Sequence, residues 1–231
     1  MSKKYYLPPE VVEYRNQRKL QNQIVLKLCI VMLVPPLLLF PAYPRNNWQY
    51  SIYRFITENI YISIGTKGPL PFFTVLTSIY STLIMFIFCS YLCWSFIKKY
   101  GFDKKYQEKI YHFLFANEFM TSRKYPRLEK PIIKKVYILS LFLLSLLIGI
   151  FHFTRQEISF PSGNRRGALI ELGYNYKVGV IFWETFASIM TAAPIFYFLL
   201  IAVYLINYYF RGLGSGKITP PLKNKKRKSK K

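Results

Sequence analysis

With 231 residues, 52% of them apolar, and a formal net charge of +23, the chain joins a membrane protein's hydrophobic content to a large excess of lysine and arginine. Its longest polar stretch, 98–135, is shorter than the roughly 40 residues a water-soluble domain usually needs to hold a core alone, so no separate globular module is expected. Two histidines and no HExxH, GxSxG, P-loop, paired-carboxylate or CxxC pattern argue against hydrolytic, metal-dependent and nucleotide-driven chemistry.

In chain order, a basic segment (1–23) comes first and is assigned to the cytoplasm. The first apolar run, about 24–43, is as long as the ~20 residues a helix needs to cross the hydrocarbon layer. Pro35, Pro36 and Pro41 lie in its second half, so this helix is expected to bend or end early there. A 23-residue polar leader and the lack of a small-x-small site argue against a cleaved signal peptide. The loop 45–68 is rich in Trp, Tyr, Phe and Ile, and Trp48, Ile52, Phe55 and Ile56 fit one face of a short amphipathic helix. A contiguous apolar patch must be covered by lipid or protein, which makes this loop the candidate outer recognition surface.

The second run, about 70–97, carries Thr74, Thr77, Ser78, Ser81 and Thr82, hydroxyls able to bond their own backbone or a neighbouring helix. Cys89 and Cys93 share a face of it, Cys29 lies in the first run, and all three read as packing thiols. Within 98–135, Phe102, Tyr106, Ile110, Phe113 and Leu114 fall on one helical face beside Lys104 and Lys105, the pattern of a helix lying in the headgroup layer. The third run, about 136–153, offers only Ser140, Ser145 and Gly149 among its apolar residues.

The fourth run, about 178–208, holds Glu184, a carboxylate costly to place in a membrane and therefore a default site candidate. His152 and Arg155, at the same end of the third run, are its expected partners. Ala187, Ser188, Thr191 and Ala192 form small-xxx-small pairs, which let helices approach closely, and make up the candidate packing face. The remainder, 211–231, is a glycine-, proline- and lysine-rich tail expected to be disordered and drawn to anionic lipid at the cytoplasmic face.

Charge fixes the threading. Segments 1–23, 98–135 and 209–231 carry five, eleven and nine Lys/Arg, against three and four in the other two loops. Basic residues stay inside, so both termini are expected in the cytoplasm. The fold class is therefore an all-α integral membrane protein of four transmembrane helices, with short interfacial helices in the 45–68 and 98–135 loops.

Four spans with few polar residues through their depth leave partner binding as the leading expectation. The chain would serve either as an accessory subunit of a secretion- or conjugation-type assembly or as an immunity or exclusion protein. A small transporter or channel is the alternative, motivated by Glu184, and a membrane-embedded enzyme the third. No cofactor, metal site or specific nucleic acid is expected, only the bilayer and another membrane protein. A bacterial inner membrane fits, with a eukaryotic endomembrane as the alternative.

Overall fold

The structure, a computed structural model, describes residues 9–115, 131–156 and 165–216. It is 81% helical, with no strand among the described residues. Among the described residues seven helices follow in order: α1 (Pro9–Leu39), α2 (Asn47–Asn59), α3 (Pro71–Tyr100), α4 (Lys104–Phe115), α5 (Pro131–Thr154), α6 (Arg165–Tyr174) and α7 (Lys177–Tyr209). Four contain stretches long and apolar enough to cross a membrane: Arg18–Leu39, Pro71–Tyr100, Val136–Thr154 and Lys177–Tyr209. These are the four expected spans.

Their ends follow local chemistry. Proline opens α1, α3 and α5, where its fixed φ suits a helix and its missing N–H costs nothing. The first span stops at Leu39 rather than near residue 43, because Pro41 disfavours a helical Phe40. α3 ends at Gly101, whose φ of +65° and N–H bond to Ile97 O (2.7 Å) close the last turn. Of the short helices, α2 and α4 occupy the expected loops, whereas α6 was not foreseen. The tail's first residues are held: Leu213 N donates to Asn207 O at 3.2 Å, and Tyr204 Oη to Ser215 O at 2.8 Å. The basic run that follows, 217–231, lies outside the described residues, as do 1–8 and 116–130.

The chain divides into two compact units, and α3, α5 and α7 each contribute to both. The first takes the chain through Met85 and then Gly149–Ile189; the second takes Phe86–Ile148 and Met190 onward.

In the first unit Phe73, Tyr174, Val180 and Ile181 form a buried cluster flanked by Leu37, Phe40 and Trp183. The α6–α7 corner is tight, since a Cβ on Gly179 would lie 2.1 Å from Gly173 O. Lys177, at the start of α7, donates to Phe40 O at 3.0 Å and lies over the Phe73 ring. It thereby ties the end of α1 to α7.

In the second unit the core is Tyr106, Ile110, Tyr197 and Tyr204, with Phe142 stacked on Tyr197 at 3.8 Å. α4 therefore presents Tyr106 and Ile110 to protein, where the sequence reading had assigned that face to lipid headgroups. Packing on α7 buries these side chains while leaving Lys104, Lys105 and Lys109 exposed.

Pro35, Pro36 and Pro194 lie inside spanning helices, and for Pro35 and Pro194 the broken bond is replaced from a neighbouring span. Pro35 removes the N–H that would bond Val31 O, and Tyr80 Oη of α3 donates to that carbonyl at 2.6 Å. Pro194 does the same to Met190 O, and Ser145 Oγ of α5 donates to it at 3.1 Å. Without water in the hydrocarbon layer, a freed carbonyl must find such a donor. The substitutes also fasten α3 to α1 and α5 to α7.

Candidate functional site

Glu184 lies two turns into α7 and is 0% exposed. A carboxylate so placed needs donors, and three helices supply them. From α3, Ser78 Oγ donates to Glu184 Oε2 at 2.5 Å. From α6, Tyr174 Oη donates to Oε1 at 2.7 Å. From α5, His152 Nε2 lies 3.2 Å from both Oε1 and Tyr174 Oη. Because the phenol proton already goes to the carboxylate, the imidazole contact is attractive only if Nε2 carries a hydrogen. The site thus reads as a carboxylate taking three hydrogen bonds.

Its surroundings hold each donor in place. Ser78 Oγ also lies 3.0 Å from Thr74 O, so its proton is shared between the carboxylate and its own helix. Ser188 Oγ donates to Glu184 O at 2.7 Å, and Thr82 Oγ1 donates to Ser78 O at 2.7 Å, with 3.1 Å between the two hydroxyls.

The His152 end of α5 is capped by the segment after α2. Ser63 N and Oγ donate to Phe153 O and Thr154 O at 2.9 Å each, Gly65 N to Arg155 O at 3.1 Å, and Lys67 N to Gln156 O at 3.3 Å. Phe153 O and Thr154 O are carbonyls that a helix terminus leaves without intrahelical donors. The buried site and the loop that follows α2 are therefore mechanically joined.

Tyr174 has its pKa pushed far above the ordinary tyrosine range, first by burial and then by the Glu184 charge and hydrogen bond; Arg155 opposes this. It therefore keeps its proton and acts as a hydrogen-bond donor. Of the two partners expected for Glu184, His152 makes the contact, and exposed Arg155 acts on the cluster through its charge at Tyr174. The sequence marks Ser78 only as one of five α3 hydroxyls and carries no pattern that sets Tyr174 apart.

The other candidates are placed as follows. Ala187, Ser188, Thr191 and Ala192 are all buried. On α2, Trp48 (59%), Ile52 and Phe55 (57%) are exposed, but Ile56 (4%) is buried, in the turn where Tyr53 meets Phe72 edge-on at 5.9 Å. The expected four-residue outer face therefore loses Ile56 to the core. Tyr50, on another side of α2, and Tyr61, beyond its end, are also exposed. Tyr61 stands in the left-handed region at φ +60°, a conformation that costs a bulky L-residue about 1–2 kcal/mol.

Among the described residues, no three His, Cys, Asp or Glu side chains come together to hold a metal ion. No family model matches this sequence, and neither a curated protein nor a solved structure matches the chain.

Proposed function

We propose that this chain works by binding another membrane protein, without catalysis, in a bacterial plasma membrane. It would be either an accessory subunit of a secretion- or conjugation-type assembly or an immunity or exclusion protein. The reading rests on the different fates of two similar helices. α4 buries its aromatic face within its own unit, while α2 leaves Trp48, Tyr50 and Phe55 uncovered and is followed by strained, exposed Tyr61. Rigid aromatics are favoured anchors at protein interfaces. Backbone strain at an exposed position is more readily kept by function than by stability.

Glu184 supports the same reading. With three donors on one carboxylate, and the capped end of α5 leading to the loop after α2, the buried cluster acts as a rigid mount for the outer surface. The test is the double substitution Trp48→Ser with Phe55→Ser, followed by affinity purification from mild detergent and by the toxin- or transfer-sensitivity phenotype. Loss of partner and phenotype at unchanged protein level is the expected result. Retention of both would sink the proposal.

A small transporter is the second reading. It draws on buried Thr77 and Ser81, whose hydroxyls lack partners among the described residues in the same part of α3 as Ser78. Ion flux in liposomes that Glu184→Gln abolishes would favour it.

A further inference from the structure

We propose that the end of α3 and the outward face of α4 form a docking surface for anionic phospholipid headgroups on the basic side of the membrane. This inference does not depend on the partner-binding proposal.

α4 spends its apolar face on protein. Tyr106, Gln107 and Ile110 are buried; Tyr106 Oη donates to Leu200 O at 2.9 Å, and Gln107 Nε2 to Tyr204 O and Gly214 O at 3.1 and 3.2 Å. A helix docked in this way cannot lay the same face into the headgroup layer. Lipid contact passes to the side chains turned away from the core, which are Lys104, Lys105 and Lys109, with Lys98 and Lys99 at the end of α3, all exposed.

Among the described residues of this stretch, Asp103 and Glu108 are the carboxylates set against the five lysines, which leaves positive charge in excess. Asp103, at the turn between the helices, is already engaged by Arg211 at 3.6 Å. Lys99 and Lys109, from different helices, both stand over the Tyr100 ring, 5.5 and 5.8 Å from its centroid. One ring attracts both cations, yet the cations repel each other, and a shared phosphate would relieve that repulsion.

Depth agrees with charge. Trp94, Tyr208 and Tyr209 are exposed near the ends of α3 and α7, as in the aromatic belts that mark membrane interfaces. Lys98 is one helical turn beyond Trp94, or about 6 Å of rise. That is headgroup depth for an anionic glycerophospholipid.

The measurement is lipid binding to the full-length protein, by native mass spectrometry in detergent, with phosphatidylglycerol and with phosphatidylcholine. Each lysine near an anionic surface contributes about 1 kcal/mol, or roughly five-fold in affinity. Lys104→Gln, Lys105→Gln and Lys109→Gln together should therefore weaken phosphatidylglycerol binding by about 100-fold at low salt, with phosphatidylcholine binding unchanged. A second variant carries glutamine at tail positions Lys223, Lys225, Lys226 and Lys228 and should retain most of the binding. Equal affinity for the two lipids, or a loss confined to the tail variant, would overturn the proposal. An unchanged melting temperature without lipid shows that the α4 variant is folded.

Discussion

Replacing Glu184 separates a structural mount from a conducting site, because two substitutions at that position predict opposite orders of damage. Glu184→Ala removes the acceptor of Ser78, Tyr174 and His152 at once. Ser78 can turn its proton wholly to Thr74 O, already 3.0 Å away, so that loss is small. Tyr174 is buried, and the acceptor left to its hydroxyl is His152 Nε2, at a longer 3.2 Å and only by a change of tautomer, while His152 is only partly buried. Stranding the buried Tyr174 donor costs about 1–3 kcal/mol, and losing the His152 hydrogen bond to the carboxylate about 1.5–3 kcal/mol. Glu184→Ala should therefore cost about 4 kcal/mol, or roughly 10 °C in melting temperature for a chain of this size. Glu184→Gln keeps Oε1 facing Tyr174 and His152 and turns its amide toward Ser78, which can accept while donating to Thr74 O. Only the charge-assisted part of the bonds is lost, about 1–2 kcal/mol. The assay is thermal unfolding in mild detergent, paired with partner binding at a temperature where all variants are folded. The mount reading requires Ala to be far worse than Gln and Gln to retain binding. Equal melting of wild type and Glu184→Ala would refute it, and so would a folded Glu184→Gln protein without activity.

Other consequences can be checked separately. Because the folded pKa of Tyr174 is raised, its contribution to stability is complete below the unfolded value near 10 and is lost as pH rises above it, at up to about 1.4 kcal/mol per pH unit. Burial also raises Tyr53 and Tyr106, so the readout is the difference between wild type and Tyr174→Phe: the variant should be less stable at pH 8 but decline less steeply in alkali, and parallel curves would contradict this. Tyr80→Phe should cost about 0.6–1.7 kcal/mol, and less in a Pro35→Ala background, where residue 35 again donates to Val31 O; an unchanged cost in the double-mutant cycle would disprove the substitution of one bond for the other. Gly179→Ala should destabilise by more than 2 kcal/mol because its Cβ meets the Gly173 carbonyl, seen as a fall in melting temperature. Tyr61→Gly should raise stability by about 1 kcal/mol by relieving the left-handed strain while weakening partner binding, and a gain in both would remove Tyr61 from the recognition surface.

The spans were legible because membrane insertion is a property of each segment alone. Length, apolarity and the charge of the flanking loops do not depend on which helix lies beside which. The amphipathic pattern of α2 and α4 was legible for the same reason, but the use of each pattern was not. Periodicity shows that Tyr106 and Ile110 share a face with Phe102, yet it is the same whether that face meets lipid or α7. α6 went unread because a ten-residue helix containing Gly167 and Gly173 has little propensity of its own and is held by tertiary contacts, among them the fit of Gly173 against Trp183.

The partners of Glu184 show where sequence reasoning reaches its limit and how it can be extended. His152 could be inferred from depth, since it closes the neighbouring span on the same side, whereas Tyr174 and Ser78 are 10 and 106 residues from Glu184 and have no periodic relation to it. Proline offers a stronger constraint than charge does. A proline inside a span names the carbonyl it strands, four residues earlier, and in hydrocarbon that carbonyl needs another donor. Pro35, Pro36 and Pro194 mark Val31, Met32 and Met190 from the sequence, and for Val31 and Met190 a hydroxyl of a neighbouring span supplies the bond. The nearly featureless third span then has two serine hydroxyls to offer, Ser140 and Ser145. Ser145 lies nearer the middle of its span, at a depth comparable to Pro194 in α7, and it is the hydroxyl that makes the bond. The residue that looked least informative in the chain thus locates one helix against another, through a vacancy created by proline rather than through any pattern of its own.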